Sequence, residues 1–171
     1  MASFNGPAIL RVLAKHEVDY ILIGGFAAVT HGSPLPTNDI DIVPSSDRDN
    51  MARLSTALKA LRAKVRAAGV DPLLFDHDAD SLAAGQIWNL TTRYGDLDIT
   101  LTPSGTQGYA DLKRDAIEVT IRGTTVKLAA LVDIVRSKEA AGRDKDRRAL
   151  PVLRELVARQ LRERAGRSGR R

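Results

Sequence analysis

Residues 21–43 read ILIGGFAAVTHGSPLPTNDIDIV, and the fold turns on this stretch. The run DYILIGG reads as a buried strand that ends at Gly24-Gly25. FAAVTHG then leaves the turn as a short helix, and NDIDIV follows as a second strand. Residues two apart in a strand share a face. Asp39 and Asp41 therefore project together, while Ile40 and Ile42 point to the core. A buried carboxylate is costly unless a cation or hydrogen bonds compensate it. Two carboxylates side by side repel each other unless a cation sits between them, and hard oxygen ligands favour Mg²⁺ or Mn²⁺. Taken alone, Asp-x-Asp is weak, and two strand-end carboxylates reaching solvent are the commoner reading.

Two further features change that balance. Glycine lets the backbone approach a ligand closely, and a helix leaving a Gly-Gly turn offers free N–H groups to phosphate; the plainer reading is a tight turn with no ligand. A second carboxylate strand follows in GDLDITL, residues 95–101, where Asp96 and Asp98 share one face and Leu97 and Ile99 the other. Placed beside NDIDIV, it adds a third carboxylate. Three carboxylates on adjacent strands can hold two divalent ions that align the oxygens of an in-line displacement at phosphorus.

These residues resemble a known family. GGFAAVTHGSPLPTNDIDI is similar to the first motif of the DNA polymerase β-like minimal nucleotidyltransferases, a Gly-Gly or Gly-Ser turn followed by an Asp-x-Asp strand. More narrowly, Ala27, His31-Gly32, Thr37 and Asp39-x-Asp41 resemble the AbiEii/MenT toxin group. YGDLDITLTPSG is similar to that group's next motif, and VDIVRSKEAAGRDKDRRALPVL to its C-terminal Lys-x4-Arg-x-Lys-Asp motif. The resemblance spans most of the chain from Ile21 to Leu153. It implies that Asp39, Asp41 and Asp98 bind the metals, with Asp98 near the proton leaving the attacking hydroxyl. It implies that Gly24 and Gly25 bind the nucleoside triphosphate (NTP), that Lys138 neutralises phosphate charge and that Asp146 orients Lys138. Arg143 and Lys145 are further candidates for phosphate, and Thr37 is a nucleotide-site and regulatory candidate, since the group's antitoxin can modify that place. Leu35 stands where the group often carries Arg. That departure bears on any phosphate or RNA contact such an Arg would make and leaves the metal ligands untouched.

The remaining pattern is that of an α+β chain. QIWNLTTRYG with DLDITLT reads as a hairpin joined at Gly95, and AIEVTIRG with TTVKLA as another around Gly123. Helices are expected near Pro7, from a Ser46 cap to about Gly69, over GYADLKRD, over ALVDIVRSKEAA before Gly142, and finally over DKDRRALPVLRELVARQLRER, interrupted or kinked at Pro151. This predicts a nucleotidyltransferase fold with a mixed sheet of about four to five strands, flanked by helices, in a single domain over 1–171. Residues 129–165 form its C-terminal helical part and 166–171 a basic tail. FDHDAD reads as a solvated loop with a helix cap rather than a metal site, and His31 as a structural residue holding the loop before Thr37.

Composition narrows the functions. There is no cysteine, which excludes disulfides, thiolate metal sites and a Cys nucleophile. The N-terminal residues lack a secretory signal pattern, and YILIGGFAAV is about half of what a membrane-spanning helix needs. A soluble, cytoplasmic protein with no membrane partner is expected. The formal charge is +5, and residues 154–171 carry all of the excess, with seven Arg against two Glu. Such a segment can follow a polyanion such as RNA, or simply be a solvated helix end. The leading expectation is a Mg²⁺- or Mn²⁺-dependent toxin that moves a nucleoside monophosphate (NMP) from an NTP to RNA, at the tRNA 3′ end, neutralised by a cognate antitoxin. Transfer to a small molecule or protein hydroxyl, and a non-catalytic nucleotide- or RNA-binding module, are the alternatives.

Overall fold

The computed structural model describes residues 3–170. The first helix, α1 (Gly6–Lys15), starts where the Asn5 side chain accepts a hydrogen bond from the Ala8 N–H, with Pro7 in its first turn, and it buries Ile9, Leu10 and Leu13. Strand β1 (Tyr20–Ile23) then runs through the core and passes directly into α2 (Gly24–Thr30), which begins at the glycine pair itself. Strand β2 (Asp39–Pro44) returns antiparallel to β1, with Ile40, Ile42 and Val43 fully buried.

Helix α3 (Arg48–Ala60) corrects two expectations. Its cap is Asp47, whose carboxylate accepts the Asn50 N–H at 2.9 Å, rather than Ser46. It also ends well before Gly69. Arg62 turns into the left-handed region at φ +54°, and the Arg62 and Ala63 N–H groups close onto the carbonyls of Lys59 and Leu58. That closing geometry is usually made by glycine, so nothing in the residue type announced it. The released chain forms a short strand, β3 (Lys64–Val65). Asp78 caps α4 (Ala79–Ala84) in a capping box with Ser81. Both hairpins form as expected: β4 (Ile87–Thr92) with β5 (Gly95–Thr100), and β6 (Ile117–Ile121) with β7 (Thr124–Leu128), with α5 (Tyr109–Asp115) between them.

All seven strands join one mixed sheet in the order β3-β4-β5-β2-β1-β7-β6, where about four to five were expected. The count rises because both hairpins add to the same sheet and β3 extends its edge. Strand β2 runs parallel to β5 and β1 parallel to β7. The last two helices are α6 (Leu131–Ala141), closed by Gly142 at φ +61°, and α7 (Asp144–Ser168). Helix α7 continues through Pro151 for 25 residues, so the expected interruption is absent, and the proline ring sits on an exposed position. Half of the expected basic tail, Gly166, Arg167 and Ser168, is therefore the end of this helix, and Arg171 lies outside the described residues. No helix among the described residues is long and apolar enough to cross a membrane.

Candidate active site

The parallel register of β2 and β5 sets Asp39 opposite Asp96 and Asp41 opposite Asp98. Strand alternation then turns all four side chains to one face, and one oxygen from each of Asp39, Asp41 and Asp98 lies within 4.8 Å of the others. Asp41 is the most deeply set. Burial first, then repulsion from Asp39 and Asp98, pushes its carboxyl up to about 7, against a weaker pull from Lys145 and Lys138. Burial also raises the Asp98 carboxyl; Arg66 pulls it back and Asp39 pushes it further up. Three converging hard oxygens with a charge deficit fit a divalent cation such as Mg²⁺ or Mn²⁺.

The glycine pair is needed because Asp41 and Thr37 press against the turn. Gly24 has φ +72°, and a Cβ there would fall on the Asp41 carboxylate, 2.7 Å from its Cγ. A Cβ on Gly25 would meet the Thr37 hydroxyl at 2.9 Å. Bare backbone at both positions lets the turn close against β2. The Thr37 hydroxyl donates to Asp39 Oδ1 at 3.1 Å, which steadies one carboxylate of the cluster. His31 is structural: Nε2 lies 2.8 Å from the Ala129 carbonyl and Nδ1 3.2 Å from Gln160 of α7, tying α2 to the C-terminal helices.

The carboxylates open onto a cleft of about 790 Å³. Gly24, Gly25, Thr37, Asp39, Asp41, Asp98, Lys138, Arg143 and Lys145 all line it. Asp146 does not. It is fully buried beneath the cleft, where Arg143 Nε donates to it at 2.7 Å and Lys138 Nζ at 3.3 Å. Burial pushes the Asp146 carboxyl up, and the Arg143 and Lys138 bonds pull it down further, so it stays below the usual carboxylate range. Asp146 therefore anchors two cleft cations rather than Lys138 alone, and it also accepts the Arg143 backbone N–H at the start of α7. Lys145 is exposed and makes no ion pair among the described residues.

One residue of this site was not singled out from the sequence. Arg66 reaches from beyond β3 to the carboxylates, with Nη2 2.7 Å from Asp98 Oδ1 and Nε 3.3 Å from Asp96 Oδ2. The signal was present in RAKVRA, residues 62–67, where basic and apolar residues alternate with the strand period. Extending the preceding helix to Gly69 hid it.

No protein-family model matches the chain, and no curated protein matches its sequence significantly. Solved structures do match in fold. A lincosamide antibiotic adenylyltransferase, LnuA, solved with lincomycin bound, is 15% identical with a TM-score of 0.60, over 90% of this chain and 99% of its own. The antibiotic-resistance factor ANT(2″)-Ia, solved with adenylyl-2″-tobramycin, is 16% identical with a TM-score of 0.55, over 95% and 94%. A candidate nucleotidyltransferase from Thermotoga maritima is 16% identical with a TM-score of 0.55, over 92% and 90%. The chain has the nucleotidyltransferase fold.

Proposed function

We propose that this protein is a metal-dependent nucleotidyltransferase that moves an NMP from an NTP to a hydroxyl of RNA, at the 3′ end of tRNA, and acts as a toxin held in check by a cognate antitoxin. The observation that carries the transfer reading is the triad of Asp39, Asp41 and Asp98 facing a cleft whose lining also holds Lys138, Arg143 and Lys145. RNA as acceptor is supported by the Arg-rich end of α7, and the toxin role by the resemblance of the three sequence motifs. We place all 171 residues in one domain.

Asp39, Asp41 and Asp98 would hold the divalent ion, which supplies charge neutralisation and orientation at the reacting phosphate. The backbone of the Gly24–Gly25 turn, which lines the cleft beside Asp41, receives the triphosphate. Lys138, held by Asp146, and Lys145 balance the charge that grows on the departing pyrophosphate. The acceptor hydroxyl oxygen attacks the α-phosphorus, and its proton passes to Asp98, the carboxylate of the triad nearest the β4 side of the cleft. The bond to the β-phosphate oxygen breaks and pyrophosphate leaves. Thr37 keeps Asp39 turned into the site.

The test is incubation of the purified protein with Mg²⁺, each labelled NTP and total tRNA, against an Asp41→Ala control. Label in tRNA above the control supports the reading, and its absence overturns it. A second reading, transfer to a small-molecule hydroxyl, is favoured by the neighbours solved with lincomycin and adenylyl-2″-tobramycin. The same incubation with those antibiotics in place of tRNA separates the two.

A further inference from the structure

One half of the sheet has a bare face beside the triad. Across β3, β4 and β5, Val65, Leu90 and Leu97 point to the side packed on the core. The opposite side carries Ile87, Asn89 and Thr91 of β4, with Lys64 and Arg66 at the edge. Lys64 and Asn89 are exposed, and Ile87 is 61% exposed. Cross-strand pairing sets two rows on this face. One runs Lys64, Thr91, Asp96, Asp39. The other runs Arg66, Asn89, Asp98, Asp41, because the Arg66 N–H continues the ladder onto the Asn89 carbonyl.

We infer that this bare face is where the acceptor lies, and that its occupant is the 3′-terminal strand of an RNA whose backbone phosphates pair with Arg66 and Lys64. The inference rests on the reading that RNA is the acceptor. The Gly24–Gly25 turn abuts Asp41, and Lys138 and Lys145 bear on the same carboxylate, so the triphosphate takes that end of the row. A hydroxyl that must reach Asp98 has the β4 end left to it, past Asn89 and Ile87, both of which line the cleft. Chemistry then selects the occupant. Lys64 makes no ion pair among the described residues, and Arg66, 39% exposed, spends two of its three nitrogens on Asp96 and Asp98. Lys64, with no carboxylate partner, and the remaining nitrogen of Arg66 give a phosphate of the chain a partner at the outer end of each row, while the aspartates at the inner end are left to the divalent ion. Exposed Ile87 offers an apolar contact to a ribose or base.

The experiment uses the full-length protein and a fluorescein-labelled 12-nucleotide single-stranded RNA with Mg²⁺ present. Anisotropy gives Kd across a salt series, and labelled-NTP transfer gives KM for the same RNA. Lys64→Glu should weaken Kd and raise KM about five- to tenfold. It should also make the slope of log K against log salt shallower by about 0.7, the value of one single-strand phosphate contact. Lys64→Arg should restore both, with NTP binding as the internal control. A wild-type protein that labels RNA, with Kd and slope unchanged in Lys64→Glu, overturns this inference alone. A wild-type protein that labels only lincomycin or tobramycin overturns it together with the RNA reading.

Discussion

Asp41 carries the largest electrostatic strain of the described carboxylates, and its behaviour is testable. In the folded, metal-free protein its carboxyl stands at about 7, against an ordinary 3.8. The folded state therefore holds a proton that the unfolded chain has already released. The sign follows: this contribution to stability is full below about pH 4 and is lost as pH rises through 7, on the order of 4 kcal/mol in all. The Tm in EDTA should fall between pH 5 and pH 8, and the fall should shrink in Asp41→Asn and on adding Mg²⁺. An equal fall in wild type and Asp41→Asn would remove Asp41 as its cause. Transfer should vanish in Asp41→Asn even where Tm rises. Much of this residue-scale picture was legible from the sequence because strand alternation fixes which side chains share a face. Arg66 was not, because its partners lie 30 and 32 residues further on and only the sheet register brings them together.

At the scale of elements, the α6–α7 junction and the β1–α2 turn show what local chemistry encodes. Gly142 and the hairpin glycines Gly95 and Gly123 all adopt positive φ, and each marked a boundary correctly. The end of α3 was hidden because a non-glycine residue, Arg62, adopts the same conformation. The buried Asp146 links two cations and the first turn of α7. Asp146→Ala would leave Lys138 and Arg143 without their counter-charge; both line the cleft and Arg143 is largely exposed, so water takes up part of the loss and the cost should be about 1–3 kcal/mol. Lys138→Ala keeps the Arg143–Asp146 pair, so its Tm should fall less. It should instead raise the KM for NTP by about 10- to 150-fold, the worth of charge-assisted bonds to phosphate. Thermal melts and NTP titrations on both variants check this crossed pattern, and a Lys138→Ala protein with normal NTP affinity would take Lys138 off the phosphate path. Gly24→Ala should lose transfer, because its Cβ would displace the Asp41 carboxylate at a backbone φ that alanine rarely adopts. Near-normal turnover in that variant would mean that the turn can move away from β2.

On the scale of the whole molecule, the charge is divided. Residues 154–171 hold the entire +5 excess, which sequence alone made plain, while the path of that segment needed the structure. Pro151 suggested a break, yet α7 runs on to Ser168, and Leu156 and Gln160 pack onto Gly32 and His31. A cut after Leu156 would therefore strip a packed turn of the helix. The exposed part begins at Leu161, so a cut after Glu163 removes Arg164, Arg167, Arg170 and Arg171 while leaving these contacts in place. Exposed positions on a helix end contribute little to the core, so the Tm should stay within about a degree or two of wild type. If RNA runs along this end, each lost phosphate contact makes the salt slope shallower by about 0.7, and up to about 3 for all four arginines. Association should slow as well, since the removed charge steers a polyanion from a distance. NTP affinity should not move, because the cleft cations Lys138, Arg143 and Lys145 are all retained. Titration of labelled RNA over 50–300 mM salt reads the slope. A slope equal to wild type would confine RNA contact to the sheet face and the cleft, leaving the arginines as a solvated helix end.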